Sequence, residues 1–231
     1  MYKPEELPIR RRTWLQLAGI PNQYIGWSLD DCQDAPKTGL KRIRDWIELV
    51  SMGDIIRASG KASSGRGLVI TGEPGHGKTT AIVAAIQQML CTFSMENFSS
   101  NTGDVLVRPV YFITFAELLN LKGRTMDDDQ NPEDNQLFAG LLGDAKDDSY
   151  NVRILVIDDL GKEHMSASGW QKNMFHHVLR TRHSKGLPTI VTTNYGLSTW
   201  ESIYGSSTAS FAKEAFIEIR WKNQKGDLRL L

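Results

Sequence analysis

The chain is poor in several things, and each scarcity excludes a class of protein. Two cysteines in 231 residues, Cys32 and Cys91, make neither a disulfide framework nor a metal-binding pattern, which suits a reducing cytosol. No apolar run approaches the length of a membrane span, and the first residues carry no apolar signal core. The expected location is therefore cytoplasmic, with no membrane partner. No internal repeat is visible. Lys plus Arg and Asp plus Glu are equal at 27 each, so no global field draws the molecule onto nucleic acid. Charge is distributed unevenly, however: residues 125–150 hold eight acidic side chains against one lysine, and residues 172–231 hold nine basic against four acidic. A basic C-terminal face suits DNA, phosphates or an acidic partner subunit, and equally a solvated surface. At 40% hydrophobic and 23% charged residues, the length fits one α/β domain with additions or two small domains.

What the chain does have is concentrated at residues 72–80, GEPGHGKTT. Gly72, Gly77, Lys78 and Thr79 fit the spacing G-x-x-x-x-G-K-[ST]. The run Gly67 to Thr71 reads as a short buried strand before it, and Thr80 to Leu90 carries apolar residues at helical spacing after it. Strand, glycine turn and helix together are the context of a phosphate-binding loop. Glycines 72, 75 and 77 admit backbone conformations that turn successive amides toward phosphate oxygens, and a helix starting near Lys78 adds its positive end. The expected nucleotide contacts are Gly72, Glu73, Pro74, Gly75, His76, Gly77, Lys78, Thr79 and Thr80. Lys78 is expected on the β- and γ-phosphates of ATP, and the Thr79 hydroxyl on Mg²⁺.

The second informative segment is RILVIDDLGKE, residues 153–163. Its uninterrupted apolar run, Ile154 to Ile157, fits a parallel strand covered on both faces, and acidic residues at such a strand's C-terminal end lie where α/β sheets bind ligands. Asp158 is expected to hold Mg²⁺ through water. Asp159 is the expected group polarising the attacking water, with Glu163 its rival. LPTIVTTN, 187–194, is a further strand ending in Asn194, whose amide is expected to contact the γ-phosphate or the lytic water.

Around these lie more ordinary pieces. Residues 1–24 form a short basic arm containing Arg10, Arg11, Arg12 and Trp14, read either as a docking arm or as a helix packed on the domain; residues 25–231 form the ATPase domain. Tyr24 and Trp27, in an extended lead-in, belong either beside the adenine or in the core. Leu40 to Val50 is an amphipathic helix with Leu40, Ile43, Trp46, Ile47 and Val50 on one face. Arg108 to Thr114 reads as a strand and Phe115 to Leu121 as a short helix. The acidic, Pro-interrupted stretch Gly123 to Asn135 reads as a surface loop whose adjacent Asp127, Asp128 and Asp129 fan out rather than converge on a cation. Ser166 to Gly186 reads as a helix with Trp170, Met174, Val178 and His177 inward. A helix around Ala209 to Ala215 and a strand from Ala215 to Trp221 follow, ten residues before the last, without a separate helical lid.

The order of these parts resembles the DnaC/DnaI/IstB branch of AAA+ ATPases, through GEPGHGKT at 72–79, YFITFAELL at 111–119, ILVIDDLGKE at 154–163 and GLPTIVTTN at 186–194. The resemblance implies a P-loop NTPase fold of AAA+ type, with a five-stranded parallel sheet between helices. It also implies an ATP-bound homo-oligomer on single-stranded DNA that delivers a replicative helicase. An IstB-like transposition ATPase on duplex DNA and a nucleotide-gated binding module with negligible hydrolysis are the alternatives. Two departures stand out. Loaders of this branch carry a sizeable N-terminal domain where only about 24 residues precede the ATPase region here. Their trans-acting arginine is expected where Phe211 stands in SFAKEA, leaving Lys213, Arg180, Arg182 or Arg220 as substitutes. Such an arginine is worth about 10³ to 10⁵ in rate, so hydrolysis is expected to be slow if none replaces it. Lys172, Arg180, Arg182, Lys185, Lys222 and Lys225 are DNA-contact candidates by charge alone.

Overall fold

A computed structural model describes residues 3–55, 64–100, 103–126, 131–161, 169–222 and 226–227. The strands are β1 (Gly67–Thr71), β2 (Val110–Thr114), β3 (Ile154–Leu160), β4 (Thr189–Thr193) and β5 (Phe216–Arg220). They form one parallel sheet in the order β2-β3-β4-β1-β5. Parallel neighbours require crossovers, and helices supply them on both faces.

Side-chain alternation along each strand divides the core in two. Leu68 and Ile70 of β1, with Val156, Ile190 and Ile219, face α1 (Ile9–Leu17), α2 (Lys37–Ser51) and α3 (Lys78–Thr92). Val69, with Leu155, Ile157, Val191 and Phe216, faces α4 (Phe115–Arg124), α5 (Pro132–Leu141), α6 (Trp170–Ser184), α7 (Trp200–Tyr204) and α8 (Ser206–Ala215). The expected five-stranded parallel sheet between helices is the observed architecture.

Helix α1 packs on the domain. Trp14 is buried and its indole donates to Leu106 O at 2.9 Å, while Arg11 donates to Leu90 O at 2.7 Å and Phe93 O at 2.8 Å. Those carbonyls end α3, so Arg11 neutralises the negative pole of the helix that begins at the phosphate loop. Arg10 and Arg12 are exposed; the Arg10 guanidinium reaches Val105 O at 3.5 Å, and the Arg12 backbone N–H donates to Pro8 O at 3.1 Å.

Three expectations are corrected. Residues 123–135 are not one loop. Helix α4 runs on to Arg124, and α5 opens with Pro132 at its first position under an Asn131 cap whose side chain accepts from Glu133 N at 3.0 Å. Proline there presets a helical φ and lacks only an amide that would be unpaired anyway, so it starts this helix rather than breaking it. Residues 127–130, with the three aspartates, lie outside the described residues. His177 faces outward, because Phe175, Val178, Leu179 and Arg182 take the inward stripe of α6. Arg182 is corrected in the next subsection. Among the described residues no helix is long and apolar enough to cross a membrane.

Candidate nucleotide site

The sheet order determines which strand ends meet. β4 lies between β1 and β3, with Thr71 opposite Thr193 and Leu160 opposite Thr193. The loop after β1, the carboxylates ending β3 and the residue after β4 are therefore neighbours at one edge of the sheet. Such an edge, at the C-terminal ends of parallel strands, is where α/β sheets place ligands.

Of the expected loop residues, Pro74 to Thr80 line one cavity there, whereas Gly72 abuts the Trp221 carbonyl and the Glu73 side chain is exposed beside His76. Gly75 (φ +78°) and Gly77 (φ +82°) adopt backbone conformations that glycine reaches without strain, and α3 begins immediately at Lys78. Lys78 is 6% exposed, and its ammonium donates to Gly72 O at 2.6 Å, Glu73 O at 2.8 Å and Asn194 Oδ1 at 3.0 Å. Thr79 Oγ1 donates to the Asp158 carboxylate, 3.0 Å from Oδ1 and 3.1 Å from Oδ2. Pro74, Gly75, His76, Gly77, Lys78, Thr79, Thr80, Asp159 and Asn194, with Tyr24, line a cavity of about 270 Å³. That is near the lower end of the range for ligand pockets, roughly 300 to 1,000 Å³. Tyr24 thus stands at the site while also packing against the core, and Trp27 packs against the core.

The two carboxylates are held differently. Asp158 is 4% exposed and also accepts from the Thr192 hydroxyl. Asp159 has φ +58°, the only positive φ outside glycine among the described residues, at a point where the β3–β4 register breaks between Ile157 and Leu160. Two threonine hydroxyls replace the interrupted ladder: Asp159 N donates to Thr192 Oγ1 at 3.0 Å, and Thr193 Oγ1 donates to Leu160 O at 2.8 Å. The irregularity turns Asp159 into the cavity beside Asp158, which stays in strand register opposite Thr114. Aspartate tolerates the left-handed region better than most residues, at a modest cost. Glu163 lies outside the described residues.

A hydroxyl and a carboxylate 3 Å apart beside a phosphate loop are hard oxygen donors suited to Mg²⁺. Among the described residues no cluster of three or more His, Cys, Asp or Glu forms a complete metal cage. Mg²⁺ does not require one, since it commonly keeps water and takes one or two protein ligands plus phosphate oxygens. A slightly larger cavity, about 350 Å³, opens at the opposite ends of β3 and β4. Its charged groups are engaged away from the phosphate loop, Lys185 with Asp144 and Arg153 with Ser99 O.

The substitutes for the trans-acting arginine separate cleanly. Arg182 is fully buried and donates to Leu141 O, Val152 O at 3.3 Å, Arg153 O at 2.8 Å, Pro188 O at 3.0 Å and Thr189 Oγ1 at 3.0 Å. Burial lowers its pKa to about 9. It ties α5, β3 and β4 together and reaches neither a neighbouring subunit nor DNA, contrary to expectation. Arg180 is exposed. Its guanidinium lies 4.5 Å from the Phe211 ring centroid, and its Nε donates to His176 Nε2 at 3.0 Å. Arg220 is exposed beside Glu218 at 3.9 Å. Lys225 lies outside the described residues.

Sequence reasoning missed four contributors. Thr192 and Thr193 preceded Asn194 in plain view, but only the amide was singled out. Trp221 donates its indole N–H to His76 O at 2.7 Å, and its own backbone carbonyl fills the space a β-carbon on Gly72 would need. Asp227 lies against Gly75. The last two contacts join residues about 145 to 152 positions apart, for which local pattern carries no signal.

No protein-family model matches the chain, and no curated protein matches it. Among solved structures, DnaI aligns at TM-score 0.58 with 18% identity, over 88% of this chain and 95% of that one. The DnaC helicase loader aligns at TM-score 0.58 with 23% identity, over 87% of this chain and all of that one. The replication initiator DnaA, bound to AMPPCP and single-stranded DNA, aligns at TM-score 0.56 with 13% identity, over 86% of this chain and 50% of that one. With its parallel sheet order and flanking helices, the chain shares the fold of the DnaI and DnaC structures.

Proposed function

We propose that this protein is an ATP-dependent helicase loader: it binds Mg²⁺–ATP and single-stranded DNA, assembles into an oligomer, and delivers a replicative helicase, releasing it on hydrolysis. The observation that carries the reading is the convergence of Lys78 on Asn194 and of Thr79 on Asp158 at the ends of three adjacent strands. The likeness to DnaC and DnaI supports the biological role, and DnaA's bound AMPPCP and single-stranded DNA support the ligands.

Each residue has a separate task. Loop amides and Lys78 bind the phosphate chain, and Lys78 exchanges its carbonyl partners for phosphate oxygens. Thr79 and Asp158 would hold Mg²⁺, which neutralises charge developing on the phosphates. Asp159 orients water and takes its proton, while Asn194 holds Lys78 on one side of the γ-phosphate position. Tyr24 forms part of the cavity wall.

One observation favours a slow hydrolytic cycle. Phe211 is buried, and Arg180 is stacked over it and bonded to His176. Arg180, lying over the Phe211 ring, is our candidate for the trans-acting arginine. It must leave that stack to act on a neighbour, which makes turnover dependent on assembly.

The test is anisotropy of labelled single-stranded and duplex oligonucleotides with Mg²⁺–ATP. Single-strand preference that requires ATP is expected. Duplex preference would contradict the loader role and favour the transposition alternative.

A further inference from the structure

Gln87 is completely buried in α3, the helix that begins at the phosphate loop. Its buried neighbours along that helix, Val83, Ala84, Ile86 and Leu90, are apolar. An amide in such a place costs stability unless its donors and acceptor are matched. They are matched by the main chain of one short segment. Oε1 accepts from Gly26 N at 2.8 Å, and Nε2 donates to Tyr24 O at 2.8 Å and Trp27 O at 3.3 Å. Nε2 also donates to Val83 O, one turn back on α3, at 3.4 Å. The segment so held is a 3₁₀ turn over Asn22–Tyr24 followed by Gly26 at φ +91°, and residues 25–27 belong to no helix or strand. Gln87 thus supplies them with the backbone partners that a regular element would provide. Tyr24 in turn lines the nucleotide cavity, and it is the lining residue that comes from neither the loop, the start of α3, nor the ends of β3 and β4.

We infer that Gln87 is a positioning residue for the nucleoside end of the ligand: by fixing residues 24–27 on α3 it sets Tyr24 at a defined distance from the phosphate loop. The inference rests on the nucleotide reading of the site. Loop amides, Lys78 and Thr79 recognise phosphates, and none of them distinguishes a nucleotide from a bare polyphosphate. Tyr24 does not belong to that set. A tyrosine offers an aromatic face on which a base stacks and a hydroxyl that bonds a base or ribose. Such a contact is worth most when the ring is already in place before the ligand arrives. Gln87 provides that placement from within the same helix whose first residue is Lys78, so the nucleoside contact and the phosphate contacts share one rigid element. Gln87 touches no ligand itself and acts through Tyr24.

The test compares Mg²⁺–ATP with Mg²⁺–tripolyphosphate in calorimetric titrations of the full chain, Gln87→Met, Tyr24→Ala and the double variant, each held below its melting temperature. Methionine keeps the length and helix propensity of glutamine and removes the amide. Gln87→Met is expected to weaken ATP by about 5- to 20-fold, the lower part of what loss of a base-stacking aromatic costs. Tripolyphosphate affinity should stay within about twofold, a selectivity that general destabilisation would not produce. Tyr24→Ala should show the same split, and the double variant should lose no more than Tyr24→Ala alone. Amide exchange of the wild-type chain keeps the test open if Gln87→Met does not fold: ATP, and not tripolyphosphate, should slow exchange across residues 24–27. Equal weakening of both ligands, no weakening of either, additive losses, or identical exchange with both ligands overturns the positioning role and leaves the phosphate site standing. Failure of the wild-type chain to bind either ligand overturns the site and the inference together.

Discussion

Replacing Thr192 by valine probes the joint that holds the two carboxylates. Thr192 is fully buried; its hydroxyl donates to Asp158 Oδ1 and accepts from Asp159 N at 3.0 Å. Valine matches its shape, so the substitution opens no cavity and acts through the hydroxyl alone. A hydrogen bond to a charged partner contributes about 1.5–3 kcal/mol and a neutral one about 1 kcal/mol, giving a loss of roughly 2–4 kcal/mol. For a chain of this size that lowers the melting temperature by about 5–15 °C. The Asp159 amide also loses the partner that holds it at φ +58°, so hydrolysis should fall about 10- to 100-fold while Mg²⁺–ATP binding changes less. Urea unfolding, thermal melting and steady-state hydrolysis measure these effects, with Thr192→Ser as the control that restores the hydroxyl. Unfolding free energy within about 0.5 kcal/mol of wild type, with unchanged turnover, would refute the reasoning.

Asp159→Asn keeps a side chain tolerant of the left-handed region and should leave the melting temperature nearly unchanged, while cutting hydrolysis by about 10²-fold or more; unaltered turnover would move the proton-accepting role to Glu163. Arg182→Met leaves the carbonyls of Leu141, Val152, Arg153 and Pro188 without their buried donor and should cost more than about 3 kcal/mol in urea unfolding; a loss below about 1 kcal/mol would contradict its structural role. Burial pushes both thiols, Cys32 and Cys91, up to about 11. A folded-state value above the unfolded one makes stability present below the unfolded value and lost as pH rises toward 11, so unfolding titrations should show stability declining above about pH 9. Replacing both cysteines by alanine should flatten that slope, and an unchanged slope would assign it elsewhere.

The parts legible in the sequence are those whose signal is local. The glycine spacing from 72 to 77, the apolar run of β3 and the helical stripe of α2 each declare themselves within a dozen residues. Asn194 was legible because its strand ended in a polar amide at a place where parallel sheets bind ligands. Helix α5 was misread because proline and acidic residues look like a loop until they are recognised as first-turn residues, where proline fits and Glu133 and Asp134 favour the helix dipole. Arg182 was misread as a surface charge because nothing adjacent to it reveals the four carbonyls converging from α5 and from the residues just before β3 and β4. The backbone turn at Asp159 exists only because β4 supplies hydroxyls from more than thirty residues away. These features depend on tertiary approach, which composition and periodicity do not encode.

Calorimetric titration of Mg²⁺–ATP into the wild-type chain and Lys78→Ala tests the central claim most directly. Lys78 is nearly buried, and its ammonium is already poised between the loop carbonyls and Asn194. The account predicts saturable one-site binding by wild type and affinity reduced about 10²-fold or more in the variant, with an unchanged melting temperature for the nucleotide-free variant to within a few degrees. Equal affinities in the two proteins, or no binding by wild type, would contradict it.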